Sequence, residues 1–214
     1  MLRAVILAAG AGTRLKGFVP PYHKPLLIVN GRSLVSGAVQ AVHGIVDDIV
    51  VVVAPQNAEP IVHVVHALGA SVRYVIQPEA NGPAEALELG LEGLQPSDQA
   101  IVIMGDNTIN RSDIEEIVAR YANDNVICGR YMSYPEATRF TRVLAGGAWH
   151  EGPPQPGHDL TSDVFVWLGP IKINVSDWFA TPPNEKNLIG PRFSYMNTQL
   201  FEVDCSDIGV PEAL

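Results

Sequence analysis

An uninterrupted apolar run near the start of the chain constrains the fold most strongly. Ala4–Ala9 has the length and composition of a strand that is buried on both faces of a parallel sheet. Asp48–Ala54 repeats the pattern with a longer run of β-branched side chains. Because parallel strands need crossover connections, which are usually helices, we expect an α/β fold with a mostly parallel sheet and helices on both of its faces.

Strand and helix patterns alternate through the first 125 residues. Further strands are predicted at Leu26–Val29, Val72–Gln77 and Ala100–Met104, and helices at Ser33–Val46, Ala58–Leu68 and Ala84–Leu94. Ser112–Glu115 has the spacing of a capping box, which predicts the start of one more helix. Repeated strand–helix units predict a doubly wound sheet, with ligand sites at the carboxyl ends of its strands.

The pattern changes after about Val126, where glycine and proline become frequent and the segments resemble hairpins. Strands are predicted at Leu144–Trp149, Val164–Leu168 and Leu200–Val203, and a short helix near Ser176–Ala180. We interpret residues 1–214 as one domain. Its two predicted halves are residues 1–125, which carry the strand–helix units, and the smaller, mixed-β residues 126–214.

The charge balance limits the classes of ligand. The chain has 14 Lys and Arg residues against 23 Asp and Glu residues, a net charge of −9. This argues against an extended surface for nucleic acid or anionic membranes, since both need clustered cations. The apolar stretches are too short for a transmembrane helix or a signal peptide, and two cysteines are too few for a disulfide framework. We therefore expect a cytoplasmic protein with reduced thiols.

A glycine turn follows the first strand and points to an anionic ligand. Gly10 and Gly12 leave the backbone N–H groups of the turn accessible to a phosphate, and Arg14 follows directly. The dinucleotide fingerprint fails because Leu15 occupies the place of its third glycine, and the P-loop fails because Gly-Thr-Arg replaces Gly-Lys-Ser/Thr. The remaining interpretation is a phosphate cradle beside a permanently charged guanidinium.

At these residues the chain resembles the sugar-1-phosphate nucleotidylyltransferases, and within them the thymidylyl- and uridylyltransferase branch. Five motifs carry the resemblance, in the family's order and along the whole chain. They are LAAGAGTRL (Leu7–Leu15), HKPLL around Lys24, QPEANGPAEA (Gln77–Ala86), MGDN (Met104–Asn107) and DIGVPEAL (Asp207–Leu214).

The resemblance implies the nucleotide-diphospho-sugar transferase fold, which is GT-A-like and of Rossmann type. It implies that residues 1–125 are the nucleotide-binding half and residues 126–214 the sugar-phosphate-binding half. It also implies a reaction in which a nucleoside triphosphate, dTTP or UTP, and a sugar 1-phosphate give a nucleotide sugar and pyrophosphate. The attacking phosphate oxygen is already ionised at neutral pH, so no general base is needed. What the reaction requires is alignment of two anions and neutralisation of their charge.

The resemblance also implies a role for each matched residue. Arg14 and Lys24 are the catalytic candidates, Gln77 and Gly82 would read the base, and Asp106 and Asp207 would hold Mg²⁺ through oxygen ligands. The nucleotide phosphates would lie on the turn formed by Leu7, Ala8, Ala9, Gly10, Ala11, Gly12 and Thr13.

The match is weaker on the sugar side. Asn107, Phe140 and Glu151 are the sugar-phosphate candidates, with Asn107 acting by hydrogen bonds next to the metal. The family's Glu-Lys-Pro element is Glu-Gly-Pro here, so its phosphate-binding lysine is missing at Gly152. Its substitute is left open among Lys172, Arg142 and Arg192.

Three alternatives stay open at this point. The acceptor could be an unusual sugar phosphate or another phosphorylated alcohol. The fold also serves cytidylyl- and guanylyltransferases and GT-A glycosyltransferases. A catalytically degraded nucleotide-binding module is the third, suggested by Gly152 and by Val210 in the late motif. A homodimer is left open as well.

Overall fold

The computed structural model describes residues 1–12, 19–138, 140–143, 149–150, 161–183 and 189–203. The strands are β1 (Leu2–Leu7), β2 (Ile28–Val29), β3 (Arg32–Ser33), β4 (Asp48–Val53), β5 (Arg73–Ile76), β6 (Gln99–Met104), β7 (Asn125–Met132), β8 (Arg142–Val143), β9 (Trp149–His150), β10 (Val164–Asn174) and β11 (Thr198–Glu202). The helices are α1 (Leu34–Val42), α2 (Ala58–His66), α3 (Pro83–Leu91), α4 (Arg111–Arg120), α5 (Tyr134–Ala137) and α6 (Val175–Ala180), with 3₁₀ turns at Lys24–Leu26 and Gly190–Tyr195.

One mixed sheet organises the fold, in the order β5-β4-β1-β6-β10-β7-β11. β1 pairs in parallel with β4 on one side and with β6 on the other, and β4 pairs in parallel with β5. Helices α1, α2 and α4 pack on one face, and α3 and α6 on the other. The predicted α/β class with helices on both faces is therefore confirmed.

The chain reverses direction across the sheet next to β1. It proceeds from β1 to β4 and β5, and α3 then returns it to β6 on the opposite side of β1. Crossovers leave on opposite sides at such a point, so a crevice opens at the carboxyl ends of the two strands. These ends carry the glycine turn after β1 and the MGDN motif at the end of β6.

The second half of the chain extends the same sheet. β10 pairs antiparallel with both β6 and β7, and β11 pairs in parallel with β7. Strand β7 was not predicted from the sequence, because Gly129 and Arg130 interrupt its apolar pattern. β10 continues to Asn174, well beyond the predicted Leu168, through an irregularity in register between Trp167 and Ile171.

Two local predictions were wrong. Leu26–Val29 is not one strand: a 3₁₀ turn covers Lys24–Leu26, and only Ile28–Val29 pairs with β3 across an Asn-Gly turn in which both residues have positive φ. Helix α4 begins at Arg111, so Ser112 lies in its first turn and not at its N-cap. The predicted strand at 144–149 falls mostly outside the described residues.

No helix in the described ranges has the length and apolar composition needed to cross a membrane.

Gly129 allows β7 and β10 to approach each other closely. A Cβ added there would lie 1.8 Å from the carbonyl oxygen of Val166, so Gly129→Ala forces the two backbones apart. We expect a loss of about 1–3 kcal/mol in the free energy of unfolding in urea.

Gly37→Ala is the matched control for this prediction. Its added Cβ would meet only the Cδ of Arg32, at 3.7 Å, and the position lies inside α1, where alanine is favoured over glycine. Equal unfolding free energies for the two variants would contradict the assigned role of Gly129.

Candidate active site

The carboxyl ends of β1 and β6 touch at Gly105. The N–H of Gly105 donates to the carbonyl of Leu7 at 2.9 Å. An added Cβ at Gly105 would lie 2.9 Å from that oxygen and 3.1 Å from the Cβ of Ala8, so a larger residue would push the strand ends apart. Asp106 follows immediately, and the close approach therefore places its carboxylate next to the glycine turn.

An ion pair between Lys24 and Asp106 lies at this junction. The Nζ of Lys24 is 2.5 Å from Oδ2 of Asp106, with 7% and 24% of the respective side chains exposed. Gly12, whose φ is +67°, lies against the same lysine, since a Cβ added to it would be 3.6 Å from the Cβ of Lys24. The structure thus brings together three motifs, of which MGDN is 82 residues away from Lys24 in sequence.

Asn57 holds the turn in place through three side-chain hydrogen bonds. Its Nδ2 donates to the carbonyls of Ala8 at 2.8 Å and Tyr22 at 2.7 Å, and its Oδ1 accepts from the N–H of Ala54 at 2.9 Å. The side chain is fully buried, and Tyr22 has a φ of 64°, which is uncommon for a bulky residue. Asn57 therefore fixes where the loop leaves β1 and where it returns.

The segment predicted to read the base lies at the end of β5. The N–H of Gln77 donates to the carbonyl of Val53 at 2.9 Å, which extends the β4–β5 ladder to this residue. Its side-chain Nε2 donates to the carbonyl of Gly82 at 3.1 Å and to Oε2 of Glu85 at 2.8 Å. Gly82 has a φ of 103°, a conformation that favours glycine, and it precedes α3.

Two of the sugar-phosphate candidates, Asn107 and Phe140, lie within the described residues. The buried side chain of Asn107 donates to the carbonyl of Leu168, in the irregular part of β10, and so ties the end of β6 to β10. Phe140 packs against the apolar cluster of β7, β10 and α5, which includes Leu168. The proposed contacts of both residues with a sugar phosphate stay predictions.

The three cations considered as substitutes for the missing lysine are buried and used internally. Lys172 donates to the carbonyls of Ala122 and Asp124, both at 3.1 Å, in the loop before β7. Burial lowers the pKa of Lys172. Its partners lie at the amino end of β7, whereas the crevice is formed by the carboxyl ends of the parallel strands.

The two arginines also have interior partners. Arg142 is fully buried, and its guanidinium carbon lies 5.0 Å from the centre of the Tyr134 ring. Arg192 pairs with Glu88 at 2.8 Å and lies 4.2 Å above the Trp178 ring. Within the described ranges, these contacts give both arginines a structural role.

Asp106 fits the chemistry of a Mg²⁺ ligand. Its Oδ2 pairs with Lys24, and its side chain is partly exposed at the crevice. The described residues contain no group of three or more His, Cys, Asp or Glu side chains that could hold a metal. Mg²⁺ is commonly held by only one or two carboxylates together with substrate phosphates. The second candidate ligand, Asp207, lies outside the described residues, as do Thr13, Arg14 and Glu151.

Sequence reasoning missed Asn57 and Glu85. Asn57 comes three residues after Ala54, beyond the end of a buried strand, where a polar residue faces the crevice edge. That position was the available signal. Glu85 lies within the quoted QPEANGPAEA motif, but its link to Gln77 depends on the return of the chain at Gly82, which spacing alone does not reveal.

Comparisons with known proteins give the family of the chain. A family model described as the MobA-like NTP transferase domain matches residues 4–148. The bifunctional protein GlmU of Streptomyces avermitilis is 30% identical over 148 residues, which cover 67% of this chain and 30% of the relative. GlmU of Streptomyces griseus is 33% identical over 144 residues, covering 65% of this chain and 29% of the relative. The chain thus spans about three tenths of the length of these relatives.

A solved structure shares the fold over the whole chain. It is a Bacillus anthracis protein provisionally named glucose-1-phosphate thymidylyltransferase, in complex with sucrose. The TM-score is 0.78 at 20% sequence identity, and the match covers 100% of this chain and 92% of the other. The predicted fold class is confirmed by this similarity.

Asn57→Ala removes the hydrogen bonds that hold the turn and leaves two buried backbone groups, and the partly buried carbonyl of Tyr22, without this partner. We expect it to cost at least about 2 kcal/mol, because each unpaired buried group costs on the order of 1–3 kcal/mol. For a chain of this length the loss corresponds to a fall in Tm of about 4–8 °C by calorimetry. Asn123→Ala, at an exposed position, is the control, and an equal Tm for the two variants would refute the bracing role.

Proposed function

The chain belongs to the family of MobA-like NTP transferase domains, and from this membership we propose that it joins a nucleoside triphosphate to a sugar 1-phosphate. The products are a nucleotide sugar and pyrophosphate, and the proposed nucleotide is UTP or dTTP. The observation that carries the proposal is the contact between Lys24 and Asp106 beside the glycine turn. The contact supports the proposal because a triphosphate on that turn would need both a cation and a metal ligand close by.

The proposed chemistry is displacement at the α-phosphorus by an oxygen of the sugar phosphate. That oxygen is ionised at neutral pH, so the protein has to align two anions and offset their repulsion. The turn at residues 10–12 offers backbone N–H groups to the triphosphate. Arg14 would hold the same phosphates, and Lys24 would contact the α-phosphate and the incoming phosphate.

Asp106 and Asp207 would hold Mg²⁺, which supplies further charge neutralisation when bound. Asp106 also orients the ammonium of Lys24. One carboxylate would then fix the relative positions of the lysine and the metal. Asn107 would help to hold Asp106 in place, since the hydrogen bond from Asn107 to the carbonyl of Leu168 restrains the end of β6.

The acceptor is proposed from the motifs and from the name of the structural neighbour, which is itself provisional. In the described ranges, Lys172, Arg142 and Arg192 all have interior partners. This favours an acceptor phosphate bound mainly by Lys24, Arg14 and Mg²⁺, with Phe140 and Glu151 as candidates for the sugar ring.

The central test is pyrophosphate release from UTP, dTTP, CTP and GTP with a panel of sugar 1-phosphates, with Mg²⁺ and with EDTA. We expect release with UTP or dTTP that depends on both the acceptor and Mg²⁺. Transfer from a finished nucleotide sugar without pyrophosphate would instead indicate a glycosyltransferase. Nucleotide binding with no turnover for any acceptor would indicate a degraded module.

Loss of either proposed catalytic cation should abolish most of the activity. We expect Arg14→Ala and Lys24→Gln each to lower kcat by about 100-fold or more, the scale of losing one electrostatic donor to a transition state. Arg120→Ala, in an exposed ion pair on α4, serves as the control. A loss smaller than about threefold for either catalytic variant would count against the role assigned to that residue.

A further inference from the structure

We infer that Glu85 is a positioning residue that fixes the orientation of the Gln77 side-chain amide and thereby sets a preference for uracil or thymine over cytosine. The inference rests on the proposed function, because it assumes that Gln77 faces the base of a bound nucleotide. It adds a residue that determines specificity although it need not contact the nucleotide.

The NH₂ group of the Gln77 amide is fully used in hydrogen bonds to the protein. The side chain is only 4% exposed, and both hydrogens of its Nε2 are used, one on the carbonyl of Gly82 at 3.1 Å and one on Oε2 of Glu85 at 2.8 Å. Its Oε1 receives no hydrogen bond from any residue in the described part of the chain. The amide therefore presents an acceptor away from Glu85.

Glu85 is itself held in place. Its other oxygen, Oε1, accepts from Nδ2 of Asn81 at 3.1 Å, so both carboxylate oxygens are engaged by neighbouring amides. Glu85 lies in the first turn of α3, two residues after Pro83, where the helix dipole favours a negative charge. The sharp turn at Gly82 brings this helix start back onto the end of β5.

The amide cannot rotate without loss. An ionised carboxylate only accepts hydrogen bonds, and so does a backbone carbonyl. Rotating the Gln77 amide by half a turn would place its oxygen against both Gly82 and Glu85, which removes two hydrogen bonds in a buried position. Because the bond to Glu85 is charge-assisted, it is the stronger of the two restraints.

A fixed acceptor discriminates among pyrimidines. Uracil and thymine carry an N3–H donor on the imide edge, whereas N3 of cytosine is an acceptor. The outward Oε1 of Gln77 can accept a hydrogen bond from N3–H of uracil or thymine. With cytosine it would face the lone pair on N3, which is repulsive. If the amide could turn over freely, Gln77 would serve either edge, and the selectivity would fall.

The test compares equilibrium binding of UTP and CTP, by titration calorimetry without acceptor, in the wild type and in Glu85→Gln. The glutamine is similar in shape but can donate as well as accept, so it permits both orientations of Gln77. We expect the ratio of UTP to CTP affinity to fall by about tenfold. Glu79→Gln is the control, because it also removes one negative charge, at an exposed position in the same loop. We expect it to leave the ratio of UTP to CTP affinity unchanged.

Asn81→Ala provides a second variant in case Glu85→Gln does not fold. Asn81 is exposed, and its truncation releases one oxygen of Glu85, so we expect a fall of about threefold in the same ratio. An unchanged ratio in the variants that fold would overturn the inference, as would a wild type that binds UTP and CTP equally. Neither result depends on turnover, so both are distinguishable from failure of the proposed reaction, which the pyrophosphate assay reports.

Discussion

Parallel pairing of β1 with β4 on one side and β6 on the other is the constraint on which the rest of the structure depends. It brings the glycine turn after β1 beside the acidic motif after β6, although nearly a hundred residues separate them. Gly105 permits the close approach, and Asp106 pairs with Lys24 as a result. The backbone geometry therefore brings the site residues together, and the ion pair adds to this arrangement.

Polar side chains restrain this backbone from several directions. Asn57 holds both ends of the loop after β1, Asn107 ties the end of β6 to β10, and Glu85 holds Gln77. Each uses an amide or a carboxylate whose partners are largely buried, so its position is defined by hydrogen bonds and not by packing alone. Such bracing is consistent with the proposed reaction, which depends on the alignment of charged groups.

The sequence was sufficient for the α/β class and for the elements with strong apolar patterns, such as β1 and β4. Through the resemblance it assigned Lys24 and Asp106 to one site, and the two side chains form an ion pair in the structure. It could not reveal β7, whose pattern is broken by Gly129, or the bracing by Asn57, because hydrogen bonds to a distant backbone leave no periodic trace. For the same reason the sequence left three cations open as substitutes for the missing phosphate-binding lysine. Each of them has partners inside the fold: Lys172, Arg142 and Arg192.

The position of β10 has a consequence for how the chain acquires its structure. β10 lies between β6 and β7 although it follows both in sequence, so the sheet cannot close until the last of these strands has been synthesised. Until residues 164–174 are available to pair, one edge of β6 has no neighbouring strand. An unpaired apolar edge of this kind can pair with another chain, so β10 also protects the sheet from self-association.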